Sequence, residues 1–267
     1  MTSSWSGARG RLVLAGCALL VLTACGHGDG PNGGAGGPEA DFRTVSLAQG
    51  ARLVITTQGG VRVVGTDGDR VTVDDSVLAH GDDAHGDDGD GATYTLDLPC
   101  DEGAERDDRA RDNCGGMPLV RVPAGVALTV RARNAGIDVS EVRGGLSLST
   151  VNGDVTVQDS GAKDAVQHLV TRNGSVRATG LRGLHVDAET VNGDVDLGCA
   201  TSPDTLSGVT RNGSARVTLP AGTPSYATDA HTVNGRSTSD IPVAERSDHA
   251  RRLTLRTVNG DTEARRG

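Results

Sequence analysis

The chain has 267 residues, 36% of them hydrophobic, with 39 glycines and a formal charge of −9. Aromatic residues make up only 1%, too few to fill a wide β-sandwich or line a sugar-stacking cleft. The acidic balance excludes the basic footprint of a nucleic-acid-binding protein.

Residues 1–24 read as a lipoprotein signal peptide. Arg9 and Arg11 precede the apolar run Leu12–Leu22, which is too short to span a bilayer as a mature helix but suits a signal-peptide core. The run ends in Leu22-Thr23-Ala24-Cys25, which resembles a bacterial lipobox. In that resemblance Cys25 is lipidated and becomes the mature N-terminus. More than one acyl chain there gives stable anchoring on the extracytoplasmic face of the cell membrane. Removing the two arginines takes the formal charge from −9 to −11. Residues 25–40 are a Gly-rich linker without apolar periodicity, whose reach is roughly 20 Å. The folded part is expected over 41–267.

Two insertions are expected at its start, 80–91 and 100–114, on either side of the strand-like Tyr94–Leu98. The first concentrates His80, Asp83, His85 and Asp87, which have the donor types for a divalent cation. Their offsets do not match a calcium loop, so no metal and no cofactor is expected. In the second, Cys100 and Cys114 bracket a charged stretch without apolar pattern. A disulfide between them is expected, closing a loop of about 15 residues and contributing about 3 kcal/mol. The competing reading, a metal site, lacks the four-ligand spacing of zinc modules. Cys199 reads as a small buried apolar residue.

From residue 150 onward the frame Thr-x-Asn-Gly returns six times. The turns are Asn152-Gly153, Asn173-Gly174, Asn192-Gly193, Asn212-Gly213, Asn234-Gly235 and Asn259-Gly260, with asparagines 21, 19, 20, 22 and 25 residues apart. Regular return at that interval means one supersecondary unit stacked on copies of itself. The flanks alternate apolar and polar, as in Leu146-Ser147-Leu148-Ser149, which is the period of a half-buried strand.

Two architectures fit: a parallel β-solenoid (β-helix) with ~20-residue coils, or an antiparallel meander with Asn-Gly hairpins. The small, branched apolar set favours the solenoid. Roughly eight to ten coils are expected, about 40–50 Å long, capped by a polar N-terminal end and an Arg-rich C-terminal end. Stacked copies would align the asparagines in an amide ladder, with glycine supplying positive φ at the corner. They would also set Arg172 between Asp154 and Asp194, keeping the acids apart.

The segment Val122-Pro123-Ala124-Gly125-Val126, then Asn134-Ala135-Gly136-Ile137, then the recurring Thr-Val-Asn-Gly-Asp-Val, resembles the DUF4097 "putative adhesin" family over about 41–262. That resemblance implies a β-helical fold and an extracytoplasmic or membrane-associated setting, and it transfers no catalytic residues. The function expected is a lipid-anchored binding or structural protein of the cell envelope, with the membrane as one partner and an envelope protein or glycan as the other. The alternative is a polysaccharide-active β-helix enzyme using Asp154, Asp194 and Asp261, which share a repeat position interrupted by Ser175, Ser214 and Arg236.

Overall fold

The computed structural model describes residues 44–48, 50–74, 80–85, 92–99, 116–244 and 251–267, with backbone alone for 80–85. The expected signal peptide, lipidated Cys25 and linker, the expected disulfide of Cys100 and Cys114, and Asp87 lie outside the described residues, as do the side chains of His80, Asp83 and His85.

Among the described residues all regular structure is strand. In chain order these are β1 (Thr44–Ser46), β2 (Arg52–Thr57), β3 (Val61–Thr66), β4 (Arg70–Val73), β5 (His80–His85), β6 (Thr93–Leu98) and β7 (Leu119–Pro123). The repeat region follows with β8 (Ala127–Arg131), β9 (Ile137–Ser140), β10 (Leu146–Ser149), β11 (Val155–Gln158), β12 (Val166–Val170), β13 (Val176–Leu181), β14 (His185–Glu189) and β15 (Val195–Cys199). The last are β16 (Thr205–Val209), β17 (Ala215–Leu219), β18 (Ala227–Asn234), β19 (Ser237–Ser239), β20 (Arg252–Asn259) and β21 (Thr262–Arg266).

Each coil gives one strand to each of two sheets. One sheet runs β18-β20-β16-β14-β12-β10-β8-β2-β6-β5 and the other β1-β4-β7-β3-β9-β11-β13-β15-β17-β21-β19. From β2 and β3 to the last coil every pairing is parallel, and the register is continuous except for a shift between Ala178 and Leu181 in the β13–β15 pair. Ten rungs at about 4.8 Å make a stack of roughly 45 Å.

Alternation along each strand sends every second side chain inward. In register these form columns such as Leu53–Leu128–Leu146–Gln167–Val186–Leu206–Leu253. The facing sheet supplies Val61–Ile137–Val155–Val176–Val195–Ala215. Of the aromatics among the described residues, Tyr226 is fully buried and Tyr94 is not. Gln167 breaks the leucine column and is fully buried, but it is satisfied. Its Oε1 accepts the Leu146 N–H at 2.9 Å, and its amide donates to the Gly144 carbonyl at 3.5 Å.

Three features differ from the sequence expectation. First, the order of coils in space departs from chain order at both ends. The β20/β21 coil lies between β16/β17 and β18/β19, and the β2/β3 coil lies between β6/β7 and β8/β9. The Arg-rich C-terminus is therefore an interior rung, and β18/β19 closes that end. Second, β1, β4 and β5 pair antiparallel with their neighbours. Third, the first expected insertion holds a strand: His80–His85 forms the edge of the ten-stranded sheet.

Candidate functional site

The repeated corner is built from four residues with separate tasks. The threonine is inward. Thr171, Thr190, Thr210 and Thr257 are nearly buried, and each hydroxyl donates to a glycine carbonyl of the adjacent coil at 2.7–2.8 Å. The asparagine is outward. Asn173, Asn192, Asn212, Asn259 and Asn234 each donate an amide N–H to the neighbouring asparagine's Oδ1 at 2.8 Å, and Asn152 reaches Asn134 at 3.5 Å. Thr190→Val keeps the shape but strands the Gly174 carbonyl. It is expected to cost about 1–3 kcal/mol in urea unfolding at unchanged m-value. A loss below about 0.5 kcal/mol would mean the threonines serve shape alone.

The positive φ expected of the glycine holds at four of the six corners. Gly174, Gly193, Gly213 and Gly260 have φ between +146° and +155°, but Gly153 and Gly235 are not in that region. Common to all six is close approach: a Cβ at any of them would overlap backbone atoms of the adjacent coil.

The residue after glycine forms a second ladder. In spatial order it reads Asp154, Ser175, Asp194, Ser214, Asp261, Arg236, because the Asn259 coil lies against the Asn212 coil. The carboxylates of Asp154, Asp194 and Asp261 accept the backbone N–H of Ser175, Ser214 and Arg236 at 2.7–2.8 Å. The hydroxyls of Ser175 and Ser214 accept the N–H of Asp194 and Asp261 at 3.2 Å. The acids are thus kept apart by serine, and the cation against Asp154 is Arg177 at 2.5 Å, not Arg172. Partial burial raises the Asp154 carboxyl, but the Ser175 N–H and the Arg177 guanidinium outweigh it and hold the group below the usual carboxylate range. Asp194 lies 3.9 Å from Arg216.

On the outer face of the eleven-stranded sheet, Arg177, Asp196, Arg216 and Glu263 stack in register with alternating sign. Cross-strand pairs of that kind neutralise the face. At the far corner Cys199 is a free thiol packed on the core, and burial pushes it up to about 12. Nearby, the Tyr226 hydroxyl donates to the Pro203 carbonyl at 2.6 Å, with burial raising the phenol. A cleft of about 470 Å³ opens among Ala48, Gly50 and Ala51 and the turns at 66–69 and 123–126. Its Arg143 and Asp67 face each other at 3.4 Å. Among the described residues no group of three or more His, Cys, Asp or Glu forms a metal-ligand set.

Of the departures from chain order, the exchange of the last two coils is the one that bears on the repeated corner. A signal for it exists: in chain order Arg236 interrupts the Asp/Ser alternation, and exchanging the two final coils restores it.

A model of the family described as Toastrack DUF4097 matches residues 128–265. The chain belongs to the Toastrack DUF4097 family. The match begins in β8 and runs to the end of the stack, so it covers the Thr-x-Asn-Gly coils of this Toastrack chain. No curated protein matches the chain. A solved structure described as a "putative cell adhesion protein" from Clostridium sporogenes ATCC 15579 is similar over 84% of this chain and 98% of that one, at 9% sequence identity and a TM-score of 0.38.

Proposed function

We propose that this Toastrack protein is a lipid-anchored, extracytoplasmic binding and structural protein of the bacterial cell envelope, holding a rigid repeat face away from the membrane, with no catalysis of its own. The observation that carries the non-catalytic half is the engagement of the stacked carboxylates. Asp154, Asp194 and Asp261 each hold a neighbouring backbone N–H. The lowered carboxyl of Asp154 is ionised at neutral pH, the opposite of what a general acid requires. Asp154 and Asp194 are two rungs apart, about 9.6 Å, which is near the wide end of the separations used by inverting glycosidases. That spacing is the one feature favouring the enzyme reading.

The anchoring half rests on Leu22-Thr23-Ala24-Cys25 behind its basic and apolar segments. In cells fed an alkynyl fatty acid, the parent chain is expected to take up label and sediment with membranes. Cys25→Ala should lose both. Label retained by Cys25→Ala would overturn the anchor. For catalysis, the purified chain is expected to release no reducing ends from acidic or neutral polysaccharides. A measured release that disappears in Asp194→Asn would establish the enzyme reading instead.

A further inference from the structure

The residue before each asparagine forms an outward row whose composition emerges only in spatial order. It reads Arg133, Val151, Arg172, Val191, Arg211, Val258, Val233. The order is set by the bonds from Asn152, Asn173, Asn192, Asn212 and Asn259 N–H to the Arg133, Val151, Arg172, Val191 and Arg211 carbonyls, and by the β18–β20 register. Arg133, Arg172 and Arg211 are exposed, as are Val151, Val258 and Val233. Arginines thus recur on every second rung, about 9.6 Å apart, with valine between them.

These three arginines are placed unlike those of the sheet face. Arg177 and Arg216 have acids at adjacent rungs and contact them. In the corner row no acid intervenes, and among the described residues no ion pair joins Arg133, Arg172 or Arg211. Beside the row runs the exposed asparagine ladder. Each amide nitrogen there spends one hydrogen on the ladder and has a second for a ligand.

We infer that this row binds an acidic glycan carrying one carboxylate per disaccharide, laid along the stack axis. The repeat of an extended β-linked disaccharide is close to two rungs. Successive carboxylates would meet Arg133, Arg172 and Arg211 with charge-assisted bidentate hydrogen bonds. The apolar faces of the intervening sugars would lie on Val151 and Val191, and sugar hydroxyls would accept from the asparagine amides. A duplex fits poorly, since the charges of each strand recur about every 3.4 Å along its axis rather than at the two-rung interval. The acids elsewhere on the molecule are screened beyond about 8 Å at physiological salt. The inference rests on the non-catalytic binding reading and names its partner class.

The test uses the detergent-solubilised full chain and a hyaluronan octasaccharide, which carries one carboxylate per disaccharide, with binding read by calorimetry. The decisive variant is R172V/V191R, which preserves charge and composition but moves the middle arginine one rung out of step. It is expected to bind roughly tenfold more weakly, the loss of about one charge-assisted contact. R133Q/R172Q/R211Q is expected to abolish binding, and a neutral chitin octasaccharide should not bind the parent. Both variants alter outward side chains, and unchanged thermal unfolding would confirm that they fold. Equal binding by the parent and R172V/V191R would overturn the inference, as would equal binding of a single-stranded oligonucleotide. If the octasaccharide is recovered intact without having bound, the inference fails and the proposed function stands. If it is shortened, the proposed function fails.

Discussion

Gly193→Ala is expected to destabilise the protein by about 3–5 kcal/mol, among the largest effects a single methyl group produces. The added Cβ would overlap the Gly174 carbonyl, and the residue sits at φ +152°. Neither coil can step aside cheaply. On one side the Gly193 N–H donates to the Asn212 carbonyl at 2.9 Å, and on the other the Thr190 hydroxyl holds the Gly174 carbonyl at 2.7 Å. Spreading the two rungs would break the Thr190–Gly174 bond and part the Asn173–Asn192 amide pair, while the Gly193–Asn212 bond resists displacement toward the next coil. Gly222→Ala is the matched control, because nothing lies within 4 Å of its Cβ position. It should stay within about 0.5 kcal/mol of the parent. Urea unfolding of the two variants measures the contrast. A loss below about 1 kcal/mol for Gly193→Ala would mean the rungs separate easily, contrary to the close approach described.

Removing residues 251–267 is expected to abolish cooperative folding of the C-terminal third rather than trim a tail. The β20/β21 coil is bonded on both faces. Thr210, Gly213 and Ala215 donate N–H groups to Arg256, Asn259 and Asp261, while Gly260 and Thr262 donate to Asn234 and Arg236. Its Leu253, Leu255 and Ala264 are core residues, and Leu255 fills the space left by Gly208. Without it β18 and β19 lose their partner strands, and the β16/β17 rung becomes an open edge. In hydrogen exchange of the intact chain, Leu253–Thr257 should be protected well beyond Ala227–Asn234, although the latter lies earlier in the sequence. Equal or reversed protection would contradict this.

The sequence already carried the repeat unit. Six Thr-x-Asn-Gly frames at near-constant spacing, with alternating flanks such as Leu146-Ser147-Leu148, are a local signal, and local signals survive into the coil. The small, branched apolar set also announced a narrow interior, and Val61, Ile137, Val155 and Val176 occupy it in register. Coil order was less legible because parallel pairing is decided by which edge is open when a strand arrives, and that is not written within any one coil. The longer gap between Asn234 and Asn259 leaves chain enough to pass back, but it does not say where the coil docks. The antiparallel β4 and β5 were likewise hidden, since Arg70–Val73 and His80–His85 carry no copy of the frame. At the corner, the carboxylates look in sequence like a broken catalytic row. Only stacking reveals that serine completes it and that backbone N–H groups consume it.

Disulfide trapping at the exposed corner row tests the stacking order most directly. Arg211→Cys with Val258→Cys places two thiols on adjacent rungs, about 4.8 Å apart between α-carbons and within reach of a bond. Arg211→Cys with Val233→Cys places them two rungs apart, about 9.6 Å and out of reach. After mild oxidation, peptide mapping by mass spectrometry should find the 211–258 bond in high yield and no 211–233 bond. A 211–233 bond in place of the 211–258 bond would show the coils lying in chain order, and the spatial Asp/Ser and Arg/Val rows would fail with it.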